Sequence, residues 1–321
     1  AYVKDADRYA GGALDLTNIK ELMKRLGNPQ DQLKYVHVAG TNGKGSVIAY
    51  LYTTLSEAGY RVGRYISPSV YSYREKMEVA GSAVSREQFA GYVTRVAAAI
   101  KEMTTEGLAH PTPFEIETAV AFLFFAEEKC DLVILEVGMG GDLDATNIIK
   151  NTVLAVLVPI SMDHQAFLGN TLAEITQKKA GIIKPGCSVV TVGQRPETME
   201  VIREVCREKG ADLTETDLSS AKAVKEDFAG QTLEYRGETY ELSLAGSYQT
   251  ENAALALDAL EVLNHKGYPT TVEQRKKGLR ETKWNGRLTI IHRDPLFIVD
   301  GAHNPAAADM LVQSIEHYFK G

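Results

Sequence analysis

Cysteine is scarce in this chain, and the little there is rules out two classes of protein. Among 321 residues there are three, Cys130, Cys187 and Cys206. An odd number at spacings that match no metal site supports neither a disulfide framework nor a zinc centre. They read as small packing residues in a reducing compartment. Long hydrophobic runs are missing too: the longest, such as residues 119–126, fall far short of the ~20 apolar residues that span a bilayer. The N-terminus carries no secretory pattern. A basic excess is also lacking, since the formal net charge is −7 with both signs interspersed, and duplex nucleic acid is a poor partner for such a surface. The expectation is a cytoplasmic monomer with no membrane and no nucleic-acid partner. Acidity does not exclude anionic ligands, because a local nest of backbone amides binds phosphate against the global field. The length exceeds what one hydrophobic core usually serves, so two domains are expected.

Strands and helices alternate along the chain. Residues 17–26 place Ile19, Leu22, Met23 and Leu26 on one helical face before a Gly27-Asn28-Pro29 stop. Residues 35–39 read as a buried strand that runs into Gly40-Thr41-Asn42-Gly43-Lys44-Gly45-Ser46 and a helix over 46–58. A strand over 61–66, a polar loop over 67–77, helices over 86–102 and 115–129, and a strand over 132–137 follow. Alternation continues through 154–159, 172–180 and 189–193. The pattern implies an α/β fold, a mostly parallel sheet flanked by helices. Short alternating β segments occupy 221–243, then a helix spans 249–264. After Trp284-Asn285-Gly286-Arg287 a new βα unit begins. Two units are therefore expected, 1–287 and 288–321. The second reads as the truncated start of a Rossmann-like α/β domain, with about 30 residues present against the ~100 of a typical domain.

The glycine loop is the strongest chemical signal. Between a buried strand and a helix, its amides and Lys44 suit the phosphates of ATP. The spacing departs from the ordinary phosphate loop in one respect: Gly45 separates Lys44 from Ser46. Glu136 closes an apolar strand and meets the Gly138-Met139-Gly140-Gly141 run, which puts its carboxylate at the ligand-binding edge of the sheet. It reads either as a Mg²⁺ ligand or as half of a surface ion pair. Asp163-His164 lies on the same edge, where a lone histidine is more often structural. Lys178 and Lys179 end a helix and read by default as a solvated positive face. Asp300-Gly301-Ala302-His303-Asn304-Pro305 brings three polar side chains to a strand–loop–helix turn. His37, His110, His265, His292 and His317 are assigned to structure.

Six segments together resemble folylpolyglutamate synthase/dihydrofolate synthase of the Mur ligase superfamily: residues 26–29 (LGNP), 37–46 (HVAGTNGKGS), 135–148 (LEVGMGGDLDATNI), 163–171 (DHQAFLGNT), 179–185 (KAGIIKP) and 300–305 (DGAHNP). The resemblance implies that 1–287 is a Mur ligase-like ATPase domain and 288–321 the beginning of a glutamate-ligase domain. It implies an ATP-dependent, amide-forming ligase that adds L-glutamate to a folate, to dihydropteroate, or to both, through an acyl phosphate. Lys44 and the 40–46 loop would hold the ATP phosphates. Ser67, Glu136 and His164 would ligate two Mg²⁺ ions, and Lys179 would be carbamylated beside them. Asn252, Arg287 and Asp300 would contact the nucleotide, with His303 beside the transferred phosphate. Thr112, Phe114, Glu115, Leu143, Asp144 and Ala145 would line the pterin site. Three positions depart from the family pattern: Ser69 and Tyr248 stand where histidine is usual or frequent, and Asp142 where arginine is usual. The competing readings are a cell-wall ligase acting on a UDP-sugar and a nucleotide-binding fragment without ligase activity. The Lys-Gly-Ser form of the loop favours the folate branch.

Overall fold

Strands apolar on both faces set the central sheet. In the computed structural model, which describes residues 15–227 and 230–319, the chain runs through α1 (Thr17–Arg25), β1 (Tyr35–Ala39), α2 (Lys44–Glu57), β2 (Val62–Tyr65), β3 (Met77–Val79), β4 (Ser82–Ala83), α3 (Arg86–Thr105), α4 (Pro113–Glu127) and β5 (Leu132–Glu136). It continues through β6 (Thr152–Leu157), α5 (Gln165–Leu168), α6 (Leu172–Ala180), β7 (Ser188–Val192), α7 (Pro196–Lys209) and β8 (Asp212–Thr216). These strands form one sheet in the order β4-β3-β2-β5-β1-β6-β7-β8. From β2 to β8 all pairings are parallel, while β3 and β4 add an antiparallel edge.

β1 lies at the middle, and its alternate residues feed different layers. Val36 and Val38 pack with Val47, Ile48 and Leu51 of α2. Tyr35 turns to the opposite face, where Phe122 of α4 and Ile19 of α1 lie. Farther along, Ala155 and Leu157 of β6 meet Ile175 of α6 and Ile202 of α7. The register sets Val38 beside Glu136 and Ala39 beside Leu157, so the loops after β1, β5 and β6 emerge together. The three cysteines are free and buried, and among the described residues no helix is long and apolar enough to cross a membrane.

A second sheet of β9 (Lys222–Asp227), β10 (Gly230–Tyr235) and β11 (Glu238–Leu242) is antiparallel. Helices α8 (Gln249–His265) and α9 (Val272–Glu281) follow. The chain then forms a hairpin of β12 (Thr289–Arg293) and β13 (Leu296–Val299), and α10 (Pro305–Phe319). The βα unit expected from residue 288 is thus a hairpin followed by a helix. Only Asp294 and Pro295 separate its strands, too few for a parallel crossover. The loop expected over 67–77 holds a 3₁₀ turn at Tyr73–Lys76 and the start of β3. The outer surface of the hairpin and α10 leaves Ile291, Phe297, Val312 and Phe319 exposed.

α2 starts at the glycine loop, so whatever fixes α2 fixes the loop. α9 crosses it at Gly278, where an added Cβ would lie 2.2 Å from the Thr54 hydroxyl and 2.6 Å from its Cα. No side chain fits there without moving α2. Gly278→Ala is expected to cost about 1–3 kcal/mol by overpacking, read as a lower urea midpoint. An unchanged midpoint would mean that this crossing does not hold α2.

Candidate active site

The parallel strands deliver their polar ends to one cavity. Its wall includes the loop from Gly40 to Ser46, Ser67 after β2, Glu136 after β5, Asp163 and His164 after β6, and Lys179 of α6. Asn252 of α8, Arg287, Asp300 and His303 close the other side. The nucleotide and metal candidates from the sequence are therefore neighbours. This is the carboxyl edge on which open α/β sheets bind ligands.

The loop is pinned before it reaches α2. The Thr41 and Asn42 amides donate to the Pro159 carbonyl at 2.9 and 3.3 Å, and the Thr41 hydroxyl accepts from Ser161 at 3.0 Å. Gly43, at φ 97°, makes the left-handed entry to the helix that a residue with a Cβ adopts at a cost. Its missing Cβ also makes room for Asn252, whose Oδ1 lies 2.5 Å from that point. Gly45 explains the unusual spacing of the motif: an added Cβ would stand 2.3 Å from the ring of Trp284. The indole thus occupies the place of any larger residue after Lys44. Ser46 carries the hydroxyl instead, and its Oγ accepts from Gln249 at 3.1 Å.

Acids and lysines face each other across the cavity. Glu136 is buried and accepts the Ser67 amide at 3.0 Å. His164 sits in the left-handed region at φ 49°, unusual for a residue with a side chain. Its amide donates to Asp163 at 2.8 Å. The Lys44 ammonium donates to the carbonyls of Gly40 and Thr41 at 3.3 and 3.2 Å. The reading of Lys178 and Lys179 as one solvated face is corrected. Lys178 is the outward one, paired with Asp142 at 3.0 Å. Lys179 is 4% exposed and donates to the Gly40 carbonyl at 3.0 Å. It lies one turn after buried Ile175 and beside buried Ala180, on the inner face of α6. Burial, followed by the nearby Lys44 charge, lowers its pKa from the ordinary 10.5 to about 7.

The segment after β13 reaches back to the loop. Asn42 and Asn304 exchange two amide hydrogen bonds, at 3.2 and 3.1 Å. Asp300 accepts from the amides of Ala302 and Leu288 at 2.7 and 2.9 Å and from the Tyr248 hydroxyl at 3.3 Å. Tyr248, a departure from the family pattern, therefore joins the helix that carries Asn252 to the strand end that carries Asp300. His303 is exposed and donates from Nδ1 to the Gly301 carbonyl at 3.0 Å.

The six residues expected at a pterin site are absent from this cavity wall. Thr112 and Glu115 form a reciprocal cap on α4, with bonds of 3.3 and 2.7 Å, and Glu115 also accepts the Ile19 amide at 3.1 Å. Phe114 stacks on Tyr65 with ring centroids 6.2 Å apart. Asp144 is buried and accepts the Gly138, Met139 and Thr146 amides at 3.0, 2.9 and 3.0 Å. Ala145 is buried and Leu143 exposed. Sequence reasoning missed Gln249 and Trp284. A Gln-x-x-Asn step at a helix start, one turn before Asn252, was the available signal for Gln249; a single tryptophan in 321 residues, three before Arg287, was the signal for Trp284.

Comparison with known proteins adds an independent line. The family model for the Mur ligase middle domain matches residues 38–260. A dihydrofolate synthase/folylpolyglutamate synthase of Bacillus subtilis is 38% identical over 312 residues, covering 95% of this chain and 72% of its own length. Among solved structures, the apo form of L. casei FPGS matches with a TM-score of 0.89 at 32% identity, covering 97% of this chain and 77% of that one. An FPGS–AMPPCP–folate complex matches with a TM-score of 0.90 at 32% identity, covering 98% and 80%.

The Lys179 shift has a consequence for stability. Between about pH 7 and the ordinary 10.5, the unfolded chain holds a proton at this side chain that the folded chain does not. Raising the pH across that window therefore favours the folded state. In CO₂-free buffer, urea unfolding is expected to show Lys179→Met more stable than the unaltered chain below pH 7, with the gap narrowing toward 10.5. A gap independent of pH would contradict a depressed pKa.

Proposed function

The chain belongs to the folylpolyglutamate synthase/dihydrofolate synthase family, with a Mur ligase middle domain at its centre, and on that premise we propose that it is an ATP-dependent ligase that joins L-glutamate to the carboxylate of a folate or of dihydropteroate. The observation that carries this reading is the single cavity uniting Lys44, Glu136, Lys179, Arg287 and Asp300. A carboxylate oxygen of the pterin substrate attacks the γ-phosphorus of ATP, and ADP leaves. The glutamate amine then attacks the acyl phosphate carbon, expels phosphate and loses a proton.

Most of the work in such a transfer is positioning and charge neutralisation. The loop amides and Lys44 cradle the phosphates at the N-terminus of α2. Arg287, Asn252 and Asp300 contact the nucleotide from the opposite wall, and His303 lies beside the transferred phosphate. Each unit charge set about 4 Å from a phosphate charge contributes roughly 4 kcal/mol at an effective dielectric near 20, before desolvation.

The donor set fits Mg²⁺. Among the described residues no cluster of three or more His, Cys, Asp and Glu occurs, whereas Ser67, Glu136 and His164 border the same cavity. One carboxylate and a hydroxyl leave a hard cation to complete its shell with phosphate oxygens and water, as Mg²⁺ does. Ser67, Glu136 and His164 would hold two ions, whose chemistry is to neutralise phosphate charge. Lys179 suits carbamylation. Its amine, largely neutral above about pH 7, adds CO₂ with loss of one proton and becomes an anion close to those ligands.

We assign residues 1–287 to the ATP-binding unit and 288–321 to a second unit whose Asp300 and His303 face the first. In this reading Thr112, Phe114, Glu115, Leu143, Asp144 and Ala145 serve the pterin site from outside the nucleotide cavity. ADP release dependent on both glutamate and a pterin carboxylate tests the function. Dihydropteroate, a tetrahydrofolate monoglutamate and a UDP-sugar acid would be compared. Release with the UDP-sugar alone would overturn the folate assignment.

Lys44→Ala and Glu136→Ala are expected to lower kcat/KM by about three decades or more, equivalent to ~4 kcal/mol. Near-normal turnover of Glu136→Ala at low Mg²⁺ would refute the metal assignment. With ¹³C-bicarbonate, a carbamate carbon resonance is expected from the unaltered chain and not from Lys179→Ala. The same resonance in both would place the carbamate elsewhere.

A further inference from the structure

Gln249 touches no proposed substrate group, yet both ends of its side chain are committed. It is the first residue of α8 and fully buried. Its Oε1 accepts from Asn252 Nδ2 at 3.1 Å, and its Nε2 donates to Ser46 Oγ at 3.1 Å. A carboxamide has one accepting end and one donating end. With the accepting end turned to Asn252, the end that meets Ser46 can only donate. Ser46 Oγ is therefore the acceptor in that bond, and its own proton must be given elsewhere. Among the described residues the Ser46 side chain makes no other hydrogen bond. The residue borders the cavity at the start of α2, beside Lys44.

We propose that Gln249 is a positioning residue that sets the hydrogen-bond polarity of the loop, so that the Ser46 hydroxyl donates to a phosphate oxygen of the nucleotide. The inference rests on the nucleotide reading above and deepens it. The same amide chain reaches the other side of Lys44. Gln249 orients Asn252, and Asn252 Oδ1 fills the space left by the absent Cβ of Gly43, 2.5 Å away. One buried amide thus holds the residues that flank the loop lysine, and its direction decides that Ser46 offers hydrogen and not a lone pair.

The test is the affinity of the full chain for a β,γ-methylene ATP analogue, measured by calorimetry. A hydrogen bond to a charged group corresponds to about tenfold or more in affinity. Gln249→Met, close in size and without either polar end, should weaken binding about tenfold. Ser46→Ala should weaken it by a similar factor. The double variant should be about as weak as either single one, because both act on one donated proton: Ser46→Ala removes it, and Gln249→Met leaves it undirected. A double variant near a hundredfold weaker would mean that Gln249 acts independently of Ser46 and would overturn the proposal. Unchanged affinity in Ser46→Ala would overturn it as well, whether or not Gln249→Met folds. If the unaltered chain bound no analogue, the proposed function would fall, and this inference with it.

Discussion

The carbonyl oxygen of Gly40 accepts hydrogen bonds from two lysines, Lys44 at 3.3 Å and Lys179 at 3.0 Å. Two ammonium groups this close repel, and one of them is almost wholly buried, so both cannot keep a full charge cheaply. The fold resolves the conflict by position. Lys44 stands at a helix start on the cavity wall, where phosphate can balance it. Lys179 lies under the loop, where desolvation drives it toward the neutral amine. A site for a highly charged nucleotide is thereby built in a chain whose net charge is −7. The local arrangement outweighs the global field.

The same loop ties together parts of the chain that lie far apart in sequence. Its amides hang from Pro159, its Asn42 clasps Asn304, and its helix is crossed by Gly278 of α9. The clasp matters for chemistry because an acyl phosphate must be kept from water. Asn304 also accepts the Ala307 amide at 2.9 Å, so the residue that grips the phosphate loop also caps the first turn of α10. Tyr248 and Asp300 make a second link, between α8 and the end of β13. Any movement of the 288–319 segment is consequently felt at the loop, through side chains and not through the backbone alone.

The parallel sheet and the strand–loop–helix around Lys44 were legible because period, length and turn residues agreed along the chain. The convergence of Glu136 and His164 was legible at the level of strand ends, since parallel strands share one carboxyl edge; Ser67 came from the family resemblance, and Asp300 follows an antiparallel hairpin outside that sheet. Lys179 was misread from local pattern. Adjacent lysines at a helix end look alike, although a 100° step separates them, and Ile175 four residues earlier marked the buried side. Thr112 and Glu115 carried a capping-box signature that fully accounts for their mutual bonds. Gln249 and Trp284 were illegible for a different reason. Each acts by occupying space or directing a proton against residues more than 200 positions away, and no local period reports such a contact.

The one irregularity of the motif then follows from packing. In the ordinary phosphate loop the hydroxyl after lysine serves a metal ion. Here Trp284 fills the position where that residue's Cβ would stand, and Arg64 lies over the indole at 5.5 Å while paired with Glu78. Only glycine fits after Lys44. The hydroxyl moves one residue into the helix, where a buried amide meets it and fixes its direction. A cation beside the phosphates would then draw its oxygens from other strand ends, where Ser67 and Glu136 border the same cavity. The shift of the hydroxyl from residue 45 to residue 46 is thus the consequence of one close contact at Gly45.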